Sequence, residues 1–172
     1  KDFAVLYRGN HQARLLEIKL QAYRIPYKIN GGTSFFARAE IKDLMSYLRL
    51  LVNTDDDNAF LRIINLPRRD IGPATLEKVG NLATEHNVSL FEASGLAELE
   101  ERVTGKSLRS LQEFERWLRH LRARLKGASP VPVIEQMIHD IDYYGWLQEQ
   151  ASTPTAADRR IDNVRFLLDS IQ

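Results

Sequence analysis

Ala39-Glu40-Ile41-Lys42-Asp43-Leu44-Met45-Ser46-Tyr47-Leu48-Arg49-Leu50-Leu51 is the stretch on which the fold turns. Its residues Ile41, Leu44, Met45, Leu48 and Leu51 recur at three- and four-residue spacing, which lays one apolar stripe along an α-helix. The same period continues downstream. It predicts helices over 59–64, 75–86, 107–126, 133–143 and 160–171, and a short one over 89–93 whose register past Gly95 the pattern leaves open. Leu76, Val79 and Leu82 point inward in one of these. Leu108, Leu111, Phe114, Leu118, Leu121 and Leu125 do so in another. Asp56 or Asp57 can cap the helix that begins at Ala59, and Pro130-Val131-Pro132 reads as a break. The predicted class is mostly α.

Upstream the pattern differs. Phe3 to Tyr7 is a short apolar run of the kind found in buried strands. Asn10 can cap a following helix whose apolar face is Ala13, Leu16, Leu20 and Tyr23. Pro26 ends that helix, alternation over Ile25-Pro26-Tyr27-Lys28-Ile29 suggests a second strand, and Gly31-Gly32 marks a turn. Residues 3–30 are therefore expected to form a strand–helix–strand unit. Such a unit cannot bury its own apolar surface, so it reads as the edge of an α/β domain whose remainder lies elsewhere. The chain is expected to be part of something longer.

The 172 residues suffice for one domain and a fragment of another. Hydrophobic residues at 44% and charged residues at 27% exclude a disordered chain. A net charge of +1 means that any basic surface must come from local clustering. With no cysteine, disulfides and thiolate metal sites are excluded; this fits a reducing cytosol, and a cytoplasmic location is expected. No apolar run approaches a membrane span, so no membrane partner is expected.

Catalytic constellations are not found. Gly105-Lys106-Ser107 has the ending of a phosphate-cradling loop, but Glu100 stands where its first glycine belongs and no strand precedes it. His11, His86, His120 and His139 lack metal-ligand spacing. Asp55-Asp56-Asp57 lacks the glycine and distant glutamate of a calcium loop. No catalytic residue, metal or cofactor is expected in this chain.

The loop Pro67-Arg68-Arg69-Asp70-Ile71-Gly72-Pro73-Ala74-Thr75 says more. A glycine lets a phosphate approach the backbone, free amides at a helix start attract it, and arginine adds charge-assisted bonds. This is the logic of a helix-hairpin-helix contact to a DNA backbone, which binds without reading sequence. On spacing alone an ordinary interhelix turn with exposed arginines is the plainer account. Lys106 and Arg109 flank another glycine before another helix, a weaker version of the same pattern. The run Arg116, Arg119, Arg122, Arg124 and Lys126, partly balanced by Glu113 and Glu115, reads as a solvated helix face. Phe35-Phe36 could stack on bases but suit a packed domain junction better.

Three stretches in order resemble the Rep-like superfamily 1 DNA helicases, the group of Rep, UvrD and PcrA. They are Ala4-Val5-Leu6-Tyr7-Arg8-Gly9-Asn10-His11-Gln12-Ala13-Arg14, then Ile25-Pro26-Tyr27-Lys28-Ile29-Asn30-Gly31-Gly32-Thr33-Ser34-Phe35-Phe36-Ala37-Arg38-Ala39-Glu40-Ile41-Lys42-Asp43, then Leu61-Arg62-Ile63-Ile64-Asn65-Leu66-Pro67 on to Ile71-Gly72. Their order and spacing overturn the plainer account of the loop.

The resemblance implies that residues 1–32 are a fragment of the second RecA-like motor domain, 2A, and residues 33–172 the helical domain inserted into it, 2B. It implies single-stranded DNA contacts at Arg8, Asn10 and Ser34. Duplex contacts are implied at Arg68, Arg69, Ile71, Gly72 and Thr75, with Lys106 beside them, and a 2A–2B junction at Phe36, Glu40, Lys42 and Asp43. The family's duplex loop reads Gly-Ile-Gly. Here it is Asp70-Ile71-Gly72, and the acid is expected to repel phosphate and weaken the grip. The parent is implied to use ATP and Mg2+ to move 3′ to 5′ along DNA, and this piece to do neither. The implied partners are single-stranded and duplex-junction DNA, the rest of the helicase, and replication proteins. A competing expectation is a protein-interaction module that docks replication or repair partners with negligible DNA contact.

Overall fold

The structure, a computed structural model, describes residues 3–30, 32–127 and 129–171, with the Asn10 and His11 side chains outside that description. In chain order the described residues form α1 (Asn10–Ala22), a 3-10 turn over Phe35–Ala37, α2 (Ala39–Val52), α3 (Asp57–Ile63), α4 (Pro73–His86) and α5 (Leu90–Ala93). They continue with α6 (Leu99–Arg102), α7 (Gly105–Leu125), α8 (Pro130–Asp140), α9 (Tyr143–Glu149) and α10 (Pro154–Ser170). The mostly α expectation holds.

α2 is the centre of the core. It packs against α3, α7, α10 and the 3-10 turn. Neighbours on several sides bury a wider arc than the predicted stripe. Ile41, Leu44 and Leu51 are buried as expected, but Tyr47 and Leu50 are too, while Met45 and Leu48 are only half-buried. α7 presents Leu111, Phe114, Leu118 and Leu121 to the same core. Phe60 of α3 and Phe114 meet edge to face at 6.1 Å, a favoured aromatic geometry.

Side-chain caps fix several of the helix starts. Asp56 Oδ1 accepts from the Ala59 amide at 2.9 Å, and Ser89 and Thr153 serve α5 and α10 in the same way. Two expectations about breaks are corrected. Pro130 and Pro132 begin α8 rather than interrupt the chain, because first-turn amides have no helical acceptor and proline gives up nothing there. The predicted helix over 133–143 stops at Asp140. Asp142, with φ 47°, starts the unforeseen α9 and accepts from the Gly145 amide.

The strand–helix–strand expectation for residues 3–30 is also corrected. α1 forms, although Gly9 rather than Asn10 is its cap residue, with Gln12 Oε1 accepting from the Gly9 and Arg8 amides. Segments 3–7 and 25–29 are not strands among the described residues. A strand exists only where a neighbour takes its amides and carbonyls, and no such neighbour is present among the described residues. Phe3 and Leu6 stand almost fully exposed, and the predicted inner face of α1 is only half covered at Leu16 and Leu20. Gly31 lies outside the described residues, so of the expected Gly31-Gly32 turn only Gly32, at φ 112°, is seen.

Candidate nucleic-acid interface

α3 and α4 are joined by residues 64–72, a loop built largely by Arg69. The Arg69 Nη1 group donates toward the carbonyls of Ile63, Ile64, Leu66 and Pro67 at 2.9–3.3 Å, and Nη2 donates to the Tyr47 hydroxyl at 2.8 Å. Its guanidinium lies 4.8 Å from the Phe114 ring centroid. The Tyr47 hydroxyl in turn donates to the Leu66 carbonyl, and burial pushes Tyr47's pKa up. Arg69 thus satisfies the carbonyls left open where α3 ends. Asn65 Oδ1 accepts from the Arg69 amide at 2.7 Å, and Ile71 is buried, anchoring the loop from beneath.

The outer side of the loop has a different character. Arg68 is exposed. Gly72 precedes α4 in an extended conformation, and Pro73, the first helical residue, has no N–H. The Thr75 and Leu76 amides bond to the Gly72 carbonyl at 3.1 Å. The Gly72 and Ala74 amides have no partner among the described residues. A side chain added at Gly72 would meet nothing within 4 Å, so the backbone there borders open space.

Asp70 has φ 56°, the left-handed region that glycine adopts freely and aspartate tolerates. Its carboxylate receives Lys106 and Arg68, which hold it below the usual carboxylate range. Ser107 Oγ donates to the Asp70 carbonyl at 3.1 Å. Lys106 and Ser107 are therefore both turned to this loop, and Gly105-Lys106-Ser107 is the start of α7 rather than a phosphate cradle. A cleft of about 440 Å3 opens beside them, walled by Arg68, Lys106, Glu113, Trp117 and Asp140. Among the described residues no group of His, Asp and Glu side chains comes together at metal spacing.

The residues expected on a single strand lie apart in sequence, and Glu17, which sequence reasoning missed, organises one of them. Glu17 is 3% exposed. Its carboxylate accepts from the Phe35 amide at 2.9 Å, Ser34 Oγ at 2.5 Å and the Tyr27 hydroxyl at 3.1 Å. Ser34 is thus engaged with α1. Arg8 is exposed beside the start of α1, and the Asn10 side chain lies outside the described residues. An acid four residues after Ala13, on the apolar face of α1, was the available signal for Glu17.

Of the expected junction residues, Glu40 and Asp43 hold the helices together. Glu40 Oε1 accepts from Asn163 Nδ2 at 2.6 Å, and Tyr143 donates to the Glu40 carbonyl at 3.0 Å. Asp43 Oδ1 accepts from Arg62 Nη2 at 2.6 Å. Burial pushes the Asp43 carboxyl up, and Arg62 opposes it. Phe36 is half-buried, edge-on to Phe35 at 5.4 Å, and Lys42 is exposed.

Comparison with known proteins adds the family. The family model described as UvrD-like helicase C-terminal domain matches residues 1–97. The ATP-dependent DNA helicase Rep of Salmonella typhimurium is 53% identical over 97% of this chain and 25% of its own length. Escherichia coli Rep is 50% identical over the same shares. The ATP-dependent DNA helicase PcrA of Staphylococcus aureus is 46% identical over 63% of this chain and 15% of its own. The chain spans about a quarter of the Rep proteins it matches. No helix among the described residues is long and apolar enough to cross a membrane.

Proposed function

Because the chain belongs to the family of UvrD-like helicase C-terminal domains, we propose that it is a duplex-contacting, regulatory region of an ATP-dependent 3′ to 5′ DNA helicase and holds none of the motor chemistry. Residues 1–32 belong to motor domain 2A and residues 33–172 to the inserted domain 2B. ATP and Mg2+ are held by other parts of that helicase. Lys106 and Ser107 are turned to Asp70 and do not form a phosphate cradle.

One observation carries the reading: the unpartnered Gly72 and Ala74 amides open onto solvent at the start of a 14-residue helix, flanked by Arg68 and Lys106. Amides and dipole at a helix start favour a phosphate, and the two cations add charge-assisted bonds. Thr75 lies in the same turn. Arg69 and Ile71 serve this site by shaping the loop. Arg8, Asn10 and Ser34 take the single-strand role in 2A. Bound duplex then biases the orientation of 2B only as far as its contacts differ between orientations.

The test is duplex affinity of the chain against salt. Removing both Arg68 and Lys106 by alanine should weaken binding and flatten the salt slope by about 1 for each phosphate no longer neutralised. Unchanged binding, or partner capture that survives nuclease treatment with no duplex affinity, would favour a protein-docking module instead.

A further inference from the structure

The loop is not where the positive surface ends. Lys106, Arg109, Glu113, Arg116, His120 and Arg124 are all exposed on α7. At about 100° per residue they share an arc of about 80°, opposite the buried Leu111, Phe114 and Leu118. Arginines elsewhere on α7 are engaged within the fold. Arg119 bonds to Glu115 and Glu92, and Arg122 donates to the Leu51 carbonyl and Thr54. On the outer arc, Arg109 and Arg124 have no ion pair among the described residues, and Arg116 makes only a 3.3 Å bond to the Gln112 carbonyl. Glu113 is the one acid there. The whole chain is nearly neutral, at +1, so this face is a segregated basic strip.

We infer that the outer face of α7 is a second phosphate-tracking surface, continuous with the loop through Lys106, and that its ligand is the backbone of duplex DNA. This rests on the duplex reading of the loop. The strip from Lys106 to Arg124 is about 27 Å long on a straight helix, or about eight base pairs. Its cations are fixed to a rigid rod, which suits the regular backbone of a duplex. A single strand is gripped by stacking its bases on successive aromatic side chains, whereas the strip offers one ring, His120, and Trp117 at its edge is half-buried and bonded to Asp140. The loop fixes one end of the duplex, and α7 carries the contact onward.

The experiment measures fluorescence anisotropy of the whole chain with labelled duplexes of about 8, 16 and 24 base pairs, one to three strip lengths, and with a long single strand. Proteins compared are the parent, the triple variant Arg109→Gln, Arg116→Gln, Arg124→Gln, and the loop variant Arg68→Ala, Lys106→Ala. The substituted strip arginines are exposed, so circular dichroism should report an unchanged helix content. On the longer duplexes the triple variant should lose about 3 from the salt slope and most of the gain in affinity with length. A triple variant with the parent's slope and length dependence overturns the strip; if the loop variant is then weakened, the loop reading stands. An equal loss on the single strand also overturns the assignment to duplex. A parent without duplex affinity at low salt removes both readings together.

Discussion

Replacing Arg69 by alanine should weaken the fold far more than it weakens any direct contact with DNA. Nη1 has two hydrogens for four carbonyls, so it makes about two full bonds, and Nη2 makes a third to Tyr47. Arg69 is half-buried, so water recovers part of each loss, and about 1 kcal/mol per bond is a fair net value. The stack on Phe114 adds about 0.5–1 kcal/mol. The sum is about 3–4 kcal/mol, which for a chain of this size lowers the melting temperature by about 6–15 °C. Urea unfolding followed by circular dichroism reads the first quantity and a thermal melt the second. Arg69→Lys should recover little, because an ammonium neither fans across the carbonyls nor stacks as a plane. Arg68→Ala should leave stability within about 0.5 kcal/mol and act on duplex binding. If Arg69→Ala instead melts with the parent and loses duplex affinity as Arg68→Ala does, the inward assignment of Arg69 is wrong.

Glu17→Ala strands the Phe35 amide and the Ser34 and Tyr27 hydroxyls, a cost of about 2–3 kcal/mol; hydrogen exchange at the Phe35 amide should accelerate, and unchanged protection would count against this role. Asn163→Asp sets a second carboxylate against buried Glu40 and should cost about 3 kcal/mol or more at neutral pH. The added pair raises a folded-state carboxyl pKa, so the loss shrinks as pH falls through that raised value, which urea midpoints against pH would follow. The Asp70 carboxyl should titrate by NMR below the ordinary aspartate range and move up in Lys106→Ala; because its folded value is depressed, the ion pairs are present above the ordinary value and are lost as pH falls through the depressed one. Asp70→Gly, at φ 56°, should keep the helix content and tighten duplex binding with a steeper salt slope, since Lys106 and Arg68 are freed for phosphate; a looser complex would refute the competition between carboxylate and phosphate.

The helices were legible where the buried face is a single apolar stripe, as in α4 and α7. α2 was less so, because burial of Tyr47 and Leu50 depends on how many helices surround it, which spacing along one segment does not contain. The prolines at the start of α8 misled because proline breaks a helix interior yet suits a first turn, and the difference lies in where the helix begins. The N-terminal strands failed for another reason: alternation describes the side chains a strand presents, whereas a strand is made by hydrogen bonds to a neighbour. The order of the three motif stretches pointed to the loop, but the division of labour between its arginines was not legible. Arg68 and Arg69 are adjacent and chemically identical. Only the positions of the α3 carbonyls, Tyr47 and Phe114 turn one inward.

Position 70 shows how far the two levels can diverge at one residue. Read as a charge, Asp70 stands where the related loop has glycine and should push phosphate away. Its φ of 56° gives a separate reason for glycine there, because the backbone at that point favours a residue without a Cβ. Aspartate meets the same requirement at some strain, and its carboxylate then draws Lys106 and Arg68 to the loop. Ser107 bonds to its carbonyl, so the residue also ties the loop to the start of α7. The acid therefore both holds the cations next to the open amides and occupies them. A phosphate arriving at Gly72 meets two cations that share one carboxylate, and it must take them from Asp70, so the affinity it gains is the difference between two ion pairs rather than the whole of one. The proposed site should therefore bind weakly and respond steeply to anything that removes the carboxylate, whether acid or substitution.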